Sequence, residues 1–434
     1  MVKRLPLLAL LLPLTAHSAE QIELLHWWTS GGEARAAAVL QQQWQAAGNT
    51  WRDGAVAGGG GNAAMLVLRS RILAGNPPDA AHLKNAELHE WMHRGLVRDL
   101  NMPTLPGLWE RKFYPFVVST LDHQGRMAAI PLGIHRINWL WINPSLFASL
   151  HLDPPDNWDE FIMVAEALQQ QGIVPLAIGN DPWQLGILFE AIALGDGGSD
   201  FFRRAFVNLD PEVLDSPQME AILRRFHTLR RFLPPHPQGI SWNQATHMVM
   251  QGEAAMQLMG DWVKAEWLYD TDAQALQCLP APGTAGRFSY NLDAIALLSQ
   301  PNGRQQAAQD SFASLLLSEP LQQQFNRLKG SIPAEPAISL QGFDPCGVDA
   351  YQALQQAIQQ GDLVPSMAES ATLDPVIQQA ILELLSNYFN DPDASSHVAA
   401  KRLARLVSSV ASTKKHNKIK YIQNKQQNQC VICY

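Results

Sequence analysis

The 434-residue sequence lacks a membrane-spanning run and lacks an excess of positive charge. A helix that crosses a bilayer needs about 20 apolar residues, and the mostly apolar run from Leu5 to Leu14 is far shorter. The formal net charge is −8, whereas nucleic-acid recognition depends on a basic surface. We therefore expect neither an integral membrane protein nor a nucleic-acid-binding protein.

The common enzyme motifs are also missing. The sequence contains no HExxH, no GxSxG, no Walker loop and no metal-type Cys/His spacing in its body. Residues 57–65, AGGGGNAAM, precede a helix, but no Lys-Ser/Thr pair follows the glycines as a phosphate loop requires. A tight turn that lets the backbone approach a neighbour closely suits these glycines better. No cofactor and no metal are expected.

Cysteine is scarce, with four residues in the chain. Cys278 and Cys346 lie in the body, whereas Cys430 and Cys433 lie near the C-terminus. In an oxidising compartment the body pair has two possible states, a disulfide or two separate buried thiols, and sequence alone does not fix the connectivity.

Both ends of the sequence differ from the body. Lys3 and Arg4 precede the apolar run, and small residues follow it, which is the layout of a secretory signal peptide over residues 1–19. We therefore expect a soluble, exported, periplasmic protein. Residues 412–434 contain five lysines and no acidic residue. This tail is a basic interaction arm, a disordered extension or a readthrough product, and it is left out of the fold.

Strand-like and helix-like segments alternate through the body, which predicts α/β layers. A mature chain of this length exceeds the size at which one core keeps growing, so two lobes are expected. The segment GRMAAIPLGIHRINWLWIN, residues 125–143, is a long apolar run interrupted by Pro131 and Gly133. Such punctuation predicts a crossing between the lobes.

Tryptophan is abundant, with 13 residues. Four lie in apolar runs that predict core positions, namely Trp44, Trp91, Trp139 and Trp141. Five stand beside polar or glycine-rich turns: Trp27, Trp28, Trp183, Trp242 and Trp262. A pyranose packs its C–H face on an aromatic plane, and its hydroxyl groups need polar partners. The stretch WWTSGGE supplies both kinds of group, although Glu33 has two possible roles, helix capping or hydroxyl binding.

Several motifs together carry a family resemblance: LHWWTSGGE, GGGGNAAMLVLRSRILAGNPPDAAHLK, HRINWLWIN, MGDW, YNLDAIALL, LKGSIPA and VPSMA. In this order they resemble the glucose/mannose-type periplasmic sugar-binding proteins of bacterial ABC importers, a branch of the family 1 extracellular solute-binding proteins. The resemblance extends from about residue 20 to about residue 410 and excludes the tail.

The resemblance implies an α/β, two-lobed periplasmic-binding-protein fold of type II, with a hinge between the lobes and the ligand cleft at their interface. The implied division is a signal peptide over 1–19, lobe 1 over 20–130 and 281–331, lobe 2 over 131–280 and 332–411, and a disordered basic tail over 412–434. The final segment of lobe 2 is expected to be helical.

The resemblance also implies a set of sugar-binding residues. These are Trp27, Trp28, Glu33, Lys84, Trp262, Asn291, Asp293, Lys329 and Glu369. It further implies that Cys278 and Cys346 form a disulfide. Glu369 stands where the family has a histidine, and Asn62 where an aspartate is common. Because an ionised carboxylate only accepts hydrogen bonds, the preference among sugars is expected to differ at Glu369.

The expected function is therefore that of a receptor that captures a glucose-like monosaccharide and delivers it to the permease subunits of an ABC importer. It is expected to act as a monomer that contacts the inner membrane only through the permease. The rival possibilities are a secreted carbohydrate-active enzyme, which would use the same tryptophans and acids, and a sugar receptor that feeds a sensory partner.

Overall fold

The computed structural model describes residues 19–58, 61–83, 85–100, 107–268, 275–300, 303, 305–369 and 373–409. The expected signal peptide, apart from Ala19, and the 412–434 tail lie outside the described residues. Within these ranges no helix combines the length and the apolar character that a bilayer crossing demands.

Eleven strands form two sheets within the described residues. The strands are β1 Gln21–His26, β2 Thr50–Ala55, β3 Ala80–Leu83, β4 Ile130–Arg136, β5 Trp139–Ile142, β6 Val174–Leu176, β7 Ala254–Leu258, β8 Gln277–Pro280, β9 Phe288–Leu297, β10 Ile332–Pro333 and β11 Leu363–Pro365. The larger sheet has the order β10-β4-β9-β3-β1-β2, with β11 also paired to β9, and the smaller sheet has the order β6-β7-β5-β8.

Helices cover both sheets, which explains why strands such as β4 and β9 are buried along their whole length. The helices are α1 Gly31–Ala46, α2 Asn62–Leu73, α3 Asn85–His93, α4 Leu108–Lys112, α5 Pro115–Leu121, α6 Pro144–Ser149, α7 Trp158–Gln170, α8 Pro182–Phe202, α9 Pro211–Leu214, α10 Pro217–Thr228, α11 Trp242–Met250, α12 Lys264–Trp267, α13 Gln306–Leu316, α14 Glu319–Lys329, α15 Pro345–Gln360 and α16 Pro375–Asn390. Residues 396–409 are also helical.

The chain crosses from the larger to the smaller sheet at residues 137–138, between β4 and β5, inside the segment for which the sequence predicts a crossing. Asn138 connects this crossing to the second one, in which the chain returns from β8 to β9. Its Nδ2 donates to Thr284 Oγ1 at 2.9 Å, and its Oδ1 accepts from the Ser289 N–H at 3.0 Å. The two connections between the sheets are therefore held side by side by one buried amide.

Sheet membership differs from the expected lobe boundaries at three strands. β4, β10 and β11 pair within the larger sheet, whereas the boundaries at residues 130 and 331 assigned nearly all of them to lobe 2. The boundaries of the lobes stay a prediction. Cys278 in β8 and Cys346 in α15 form a disulfide with a Cα–Cα distance of 6.1 Å, as the resemblance implied.

Candidate functional site

A small cavity of about 40 Å³ lies where elements attached to the two sheets meet. Its volume corresponds to a few water molecules, since one water needs about 10–15 Å³. The lining combines indole rings with buried ionisable and amide groups. The lining residues are Trp27, Trp28, Glu33, His135, Trp183, Trp242, Trp262, Asn291, Asp293, Lys329 and Glu369.

The two adjacent tryptophans that follow β1 both contact the His82 ring but differ in burial. Trp28 is 1% exposed and packs against Phe325, with ring centroids 5.3 Å apart. Trp27 is half-buried and stacks on His82 at 3.8 Å. The backbone of Gly61 packs against the Trp27 ring. A Cβ at this position would lie 2.9 Å from the indole, and the φ of +77° also favours glycine. Trp28 therefore belongs to the core, whereas Trp27 keeps part of its ring exposed.

Four polar side chains at or next to the cavity share one face of the larger sheet. His135 in β4 is directly opposite Asn291 in β9, and His82 in β3 is opposite Ile295. Residues two apart on a strand point to the same face, so Asn291 and Asp293 lie on the face of both histidines. Diagonal pairs across strands are close enough for side chains to touch. The strand register thus brings these groups together.

His135 joins two carboxylates at the centre of this cluster. Its Nδ1 donates to Asp261 at 2.5 Å, and its Nε2 donates to Asp293 at 2.8 Å. Burial alone would lower the pKa of His135, but the charges of Asp293 and Asp261 raise it to about 9. Because both ring nitrogens face acceptors, the imidazole is protonated at neutral pH. Asp261 follows β7 of the smaller sheet, so this bridge spans both sheets.

Asp293 is consequently a fixed acceptor. Its second oxygen accepts from His82 Nε2 at 2.9 Å. Burial would raise the pKa of Asp293, but the charges of His135 and Lys329 hold it well below its usual range. Burial lowers the pKa of His82, which keeps that ring neutral. The carboxylate is therefore ionised, with both oxygens oriented before any ligand arrives.

The Oδ1 of Asn291 is buried and accepts no hydrogen bond from the described part of the chain. A buried acceptor without a donor costs about 1–3 kcal/mol. Such a group in the wall of a cavity is explained by a donor that is not part of the protein.

Glu33 and Lys329 form a buried ion pair at the same cavity. Lys329 Nζ donates to Glu33 Oε1 at 3.0 Å. Burial acts to lower the pKa of Lys329, but the charges of Glu33 and Asp293 raise it. Ser30 caps α1 by accepting from the Glu33 N–H, and its hydroxyl donates to the Glu33 carboxylate. Glu33 thus takes part in the cap and also lines the cavity.

Three indoles come from segments connected to the smaller sheet. Trp262 lies in the turn after β7 and folds over Gly260, where any Cβ would collide with the ring. Lys329 Nζ lies 5.6 Å from the centroid of the Trp262 ring, within cation–π range. Trp242 meets Trp262 edge to face at 6.4 Å, and Trp183 completes the wall.

The remaining predicted positions have different placements. Glu369 is buried and lines the cavity from the turn that follows β11, so it does not point to solvent. Lys84 lies outside the described residues. Asn62 is the exposed first residue of α2 and does not line the cavity.

Sequence reasoning missed several groups that the structure brings to the cavity or next to it. His135, His82 and Asp261 were not candidates, and Trp183 and Trp242 were noted only for their turn context. A polar residue inside an apolar strand run, such as His135 in GIHRINW, is the signal that could have found the first. Among the described residues, no group of three or more His, Cys, Asp or Glu side chains has a metal-binding arrangement.

Comparison with known proteins places the chain among transport receptors. The family model of the bacterial extracellular solute-binding proteins matches the sequence over residues 28–299. A protein of Brucella suis described as a probable sugar-binding periplasmic protein is 36% identical over 394 residues, which cover 90% of this chain and 93% of that protein. A protein of Rhizobium meliloti with the same description is 34% identical and is covered to 92%.

Solved structures show the same fold. The maltose-bound MalE3 of T. maritima superposes with a TM-score of 0.72, covering 90% of this chain and 99% of that one. Its identity of 17% supports the fold alone. The expected two-lobed α/β fold is therefore confirmed.

Proposed function

Because the chain belongs to the bacterial extracellular solute-binding protein family, we propose that it is an exported receptor that binds a glucose-like monosaccharide in the cavity between its lobes. It then delivers the sugar to the permease subunits of an ABC importer. The relatives described as probable sugar-binding periplasmic proteins support both the sugar and the compartment.

The observation that carries the proposal is the unsatisfied Asn291 Oδ1 beside the fixed Asp293 carboxylate. Both are acceptors, and a sugar hydroxyl supplies the missing donor. Trp27 and Trp262 both line the cavity, and the Trp262 ring offers a flat face to the C–H surface of a pyranose. The Lys329–Glu33 pair adds a donor and an acceptor at the edge. This mixture suits a neutral polyol better than an ion or an apolar ligand.

We propose a monosaccharide, because the cavity is small and a longer saccharide would need a larger opening between the lobes. The cavity of about 40 Å³ is enclosed by indoles on the side of the smaller sheet. We propose that even a monosaccharide enters only when the lobes move apart, and that closure then surrounds it. A ligand shifts this equilibrium only through contacts that the closed state adds, and here Trp262 supplies such a contact.

Static binding fits the carboxylates better than glycoside hydrolysis does. A glycosidase needs a general acid whose pKa is raised and a second carboxyl group across the bond. The pKa of Asp293 is instead held well below its usual range, and Glu33 is paired with Lys329. We propose a receptor that makes and breaks no covalent bond.

The test replaces two buried asparagines by leucine, one at the cavity and one away from it. Asn291→Leu removes an acceptor that lacks a partner, so sugar affinity should fall about tenfold or more while stability without sugar stays equal or rises. Asn326→Leu is the matched control. The Asn326 amide is fully hydrogen-bonded to Leu132 O, Gln322 O and the Ser331 hydroxyl, so its replacement should lower stability.

Affinity is measured by tryptophan fluorescence titration, and stability by thermal unfolding. An Asn291→Leu protein that binds sugar as tightly as the unchanged chain would contradict the proposed role of Asn291. Failure of the unchanged chain to bind any monosaccharide would contradict the proposed function itself.

A further inference from the structure

Glu190 is a buried carboxylate that lies behind the cavity and does not line it. It is in α8 and is 2% exposed. Its Oε2 accepts from the N–H groups of Met367 and Ala368 at 2.9 and 3.0 Å. The Ser366 hydroxyl lies 2.8 and 2.9 Å from the two oxygens of Glu190. One carboxylate thus accepts hydrogen bonds from the Ser366 hydroxyl and from two backbone N–H groups of the turn that follows β11.

The same turn carries Glu369 into the cavity. The Glu369 N–H donates to Ser366 Oγ at 3.1 Å, so the hydroxyl that Glu190 holds also fixes the backbone of Glu369. The Ser366 N–H donates to Tyr290 O, which anchors the start of the turn to β9. From there Glu369 lines the cavity together with Asn291 and Asp293.

A second side chain binds the carbonyl groups of the same turn. Gln378 in α16 donates from Nε2 to Met367 O at 3.2 Å and to Ala368 O at 2.6 Å. The N–H groups of Met367 and Ala368 therefore bind α8, and the carbonyl groups of the same two residues bind α16. A four-residue turn without regular secondary structure gains a fixed conformation in this way.

Glu190 is retained at an energetic cost. Its donors are the hydroxyls of Ser366 and Ser289 and two backbone N–H groups, all of them uncharged. Burial, with a smaller contribution from the charge of Glu369, raises the pKa of Glu190 to about 7 in spite of the lowering effect of the hydrogen bonds from Ala368 and Ser366. A buried acid without a cationic partner is costly, and packing alone would be served better by an apolar side chain.

We infer that Glu190 is a positioning residue, which holds the 366–369 turn so that the Glu369 carboxylate is fixed in the cavity as an acceptor for a sugar hydroxyl. Ser289 in β9 also donates to Glu190 at 3.3 Å, which links Glu190 to the larger sheet. The inference rests on the proposed function, because its ligand contact is a contact with sugar.

The experiment is a double-mutant cycle on sugar affinity with glucose and its epimers as probes, measured by calorimetry. Glu190→Ala removes the hydrogen bonds that hold the turn to α8, and Gln378→Ala removes those that hold it to α16. Each substitution is made in two backgrounds, the unchanged chain and the Glu369→Ala variant. Glu190→Gln keeps the length and one acceptor oxygen. Gln309→Ala is the matched control for Gln378→Ala, because Gln309 also donates to two backbone carbonyls, those of Asp79 and Leu298, away from the turn. Circular dichroism checks that each variant is folded.

The inference predicts that Glu190→Ala and Gln378→Ala each weaken binding about tenfold in the unchanged chain but by less than about twofold when Glu369 is already alanine. Glu190→Gln should bind with intermediate affinity, and Gln309→Ala should leave affinity unchanged. A role in general stability would give the same loss in both backgrounds, because it does not act through Glu369.

Three results would overturn the inference. The first is an equal loss of affinity in both backgrounds. The second is wild-type affinity in Glu190→Ala, or in Glu369→Ala alone. The third is a Glu190→Gln variant that binds no better than Glu190→Ala. In all three the unchanged chain still binds sugar, whereas its failure to bind any probe would reject the proposed function together with this inference.

Discussion

His135 carries a proton between two buried carboxylates, so its contribution to stability should depend on pH. The pKa is about 9 in the folded chain, compared with 6.5 for a free imidazole. The folded value is the higher one, so this stabilisation is fully present below about pH 6.5 and is lost as the pH rises through about 9. The difference between the two pKa values corresponds to about 3 kcal/mol.

The assay is urea unfolding at pH 6 and at pH 9.5. His135→Asn cannot carry the proton, so the unchanged chain should lose about 3 kcal/mol more than this variant between the two pH values. His151→Asn is the matched control at an exposed histidine, and asparagine tolerates its φ of +52°. It should follow the unchanged chain. Equal losses in the unchanged chain and in His135→Asn would refute the protonated bridge.

Three further outcomes are expected. Gly61→Ala should cost about 1 kcal/mol of stability or more and weaken sugar binding, because its Cβ would press on Trp27; unchanged binding would separate this turn from the site. Replacing Cys278 and Cys346 by serine should lower stability by up to about 4 kcal/mol, and free thiols in the exported protein by mass spectrometry would contradict the bond. Glu369→His should change relative affinities among glucose epimers about fivefold or more, whereas an unchanged ranking by calorimetry would remove this position from the specificity of the site.

The tryptophan contexts in the sequence anticipated much of the cavity. The five indoles noted beside polar or glycine-rich turns all line it, and those in apolar runs, such as Trp44 and Trp141, are buried in the core. This works because a ring at the end of a strand or at the start of a helix is free to face a cleft, whereas a ring inside an apolar run is surrounded. The crossing at residues 137–138 lies in the segment for which the sequence predicted it, but Pro131 and Gly133 fall inside β4, where the register of its pairing with β9 shifts.

The polar cluster was not readable in the same way. His82, His135 and Asp261 are far apart in the chain and meet only through strand register and through the turn after β7. Nothing local in the sequence reveals which polar residues of three strands share a face. The role of Glu190 in the middle of an apolar helix, 176 residues before the turn that it holds, was hidden for the same reason.

The most direct test of the central claim is calorimetric titration of the full exported chain with a panel of monosaccharides and with maltose, followed by analysis of the recovered sugars. We predict that at least one monosaccharide binds with a dissociation constant of roughly 1 μM or tighter, that it binds more tightly than maltose, and that every sugar is recovered intact. Preferential binding of maltose would contradict the monosaccharide cavity, and the release of hydrolysis products would contradict the receptor.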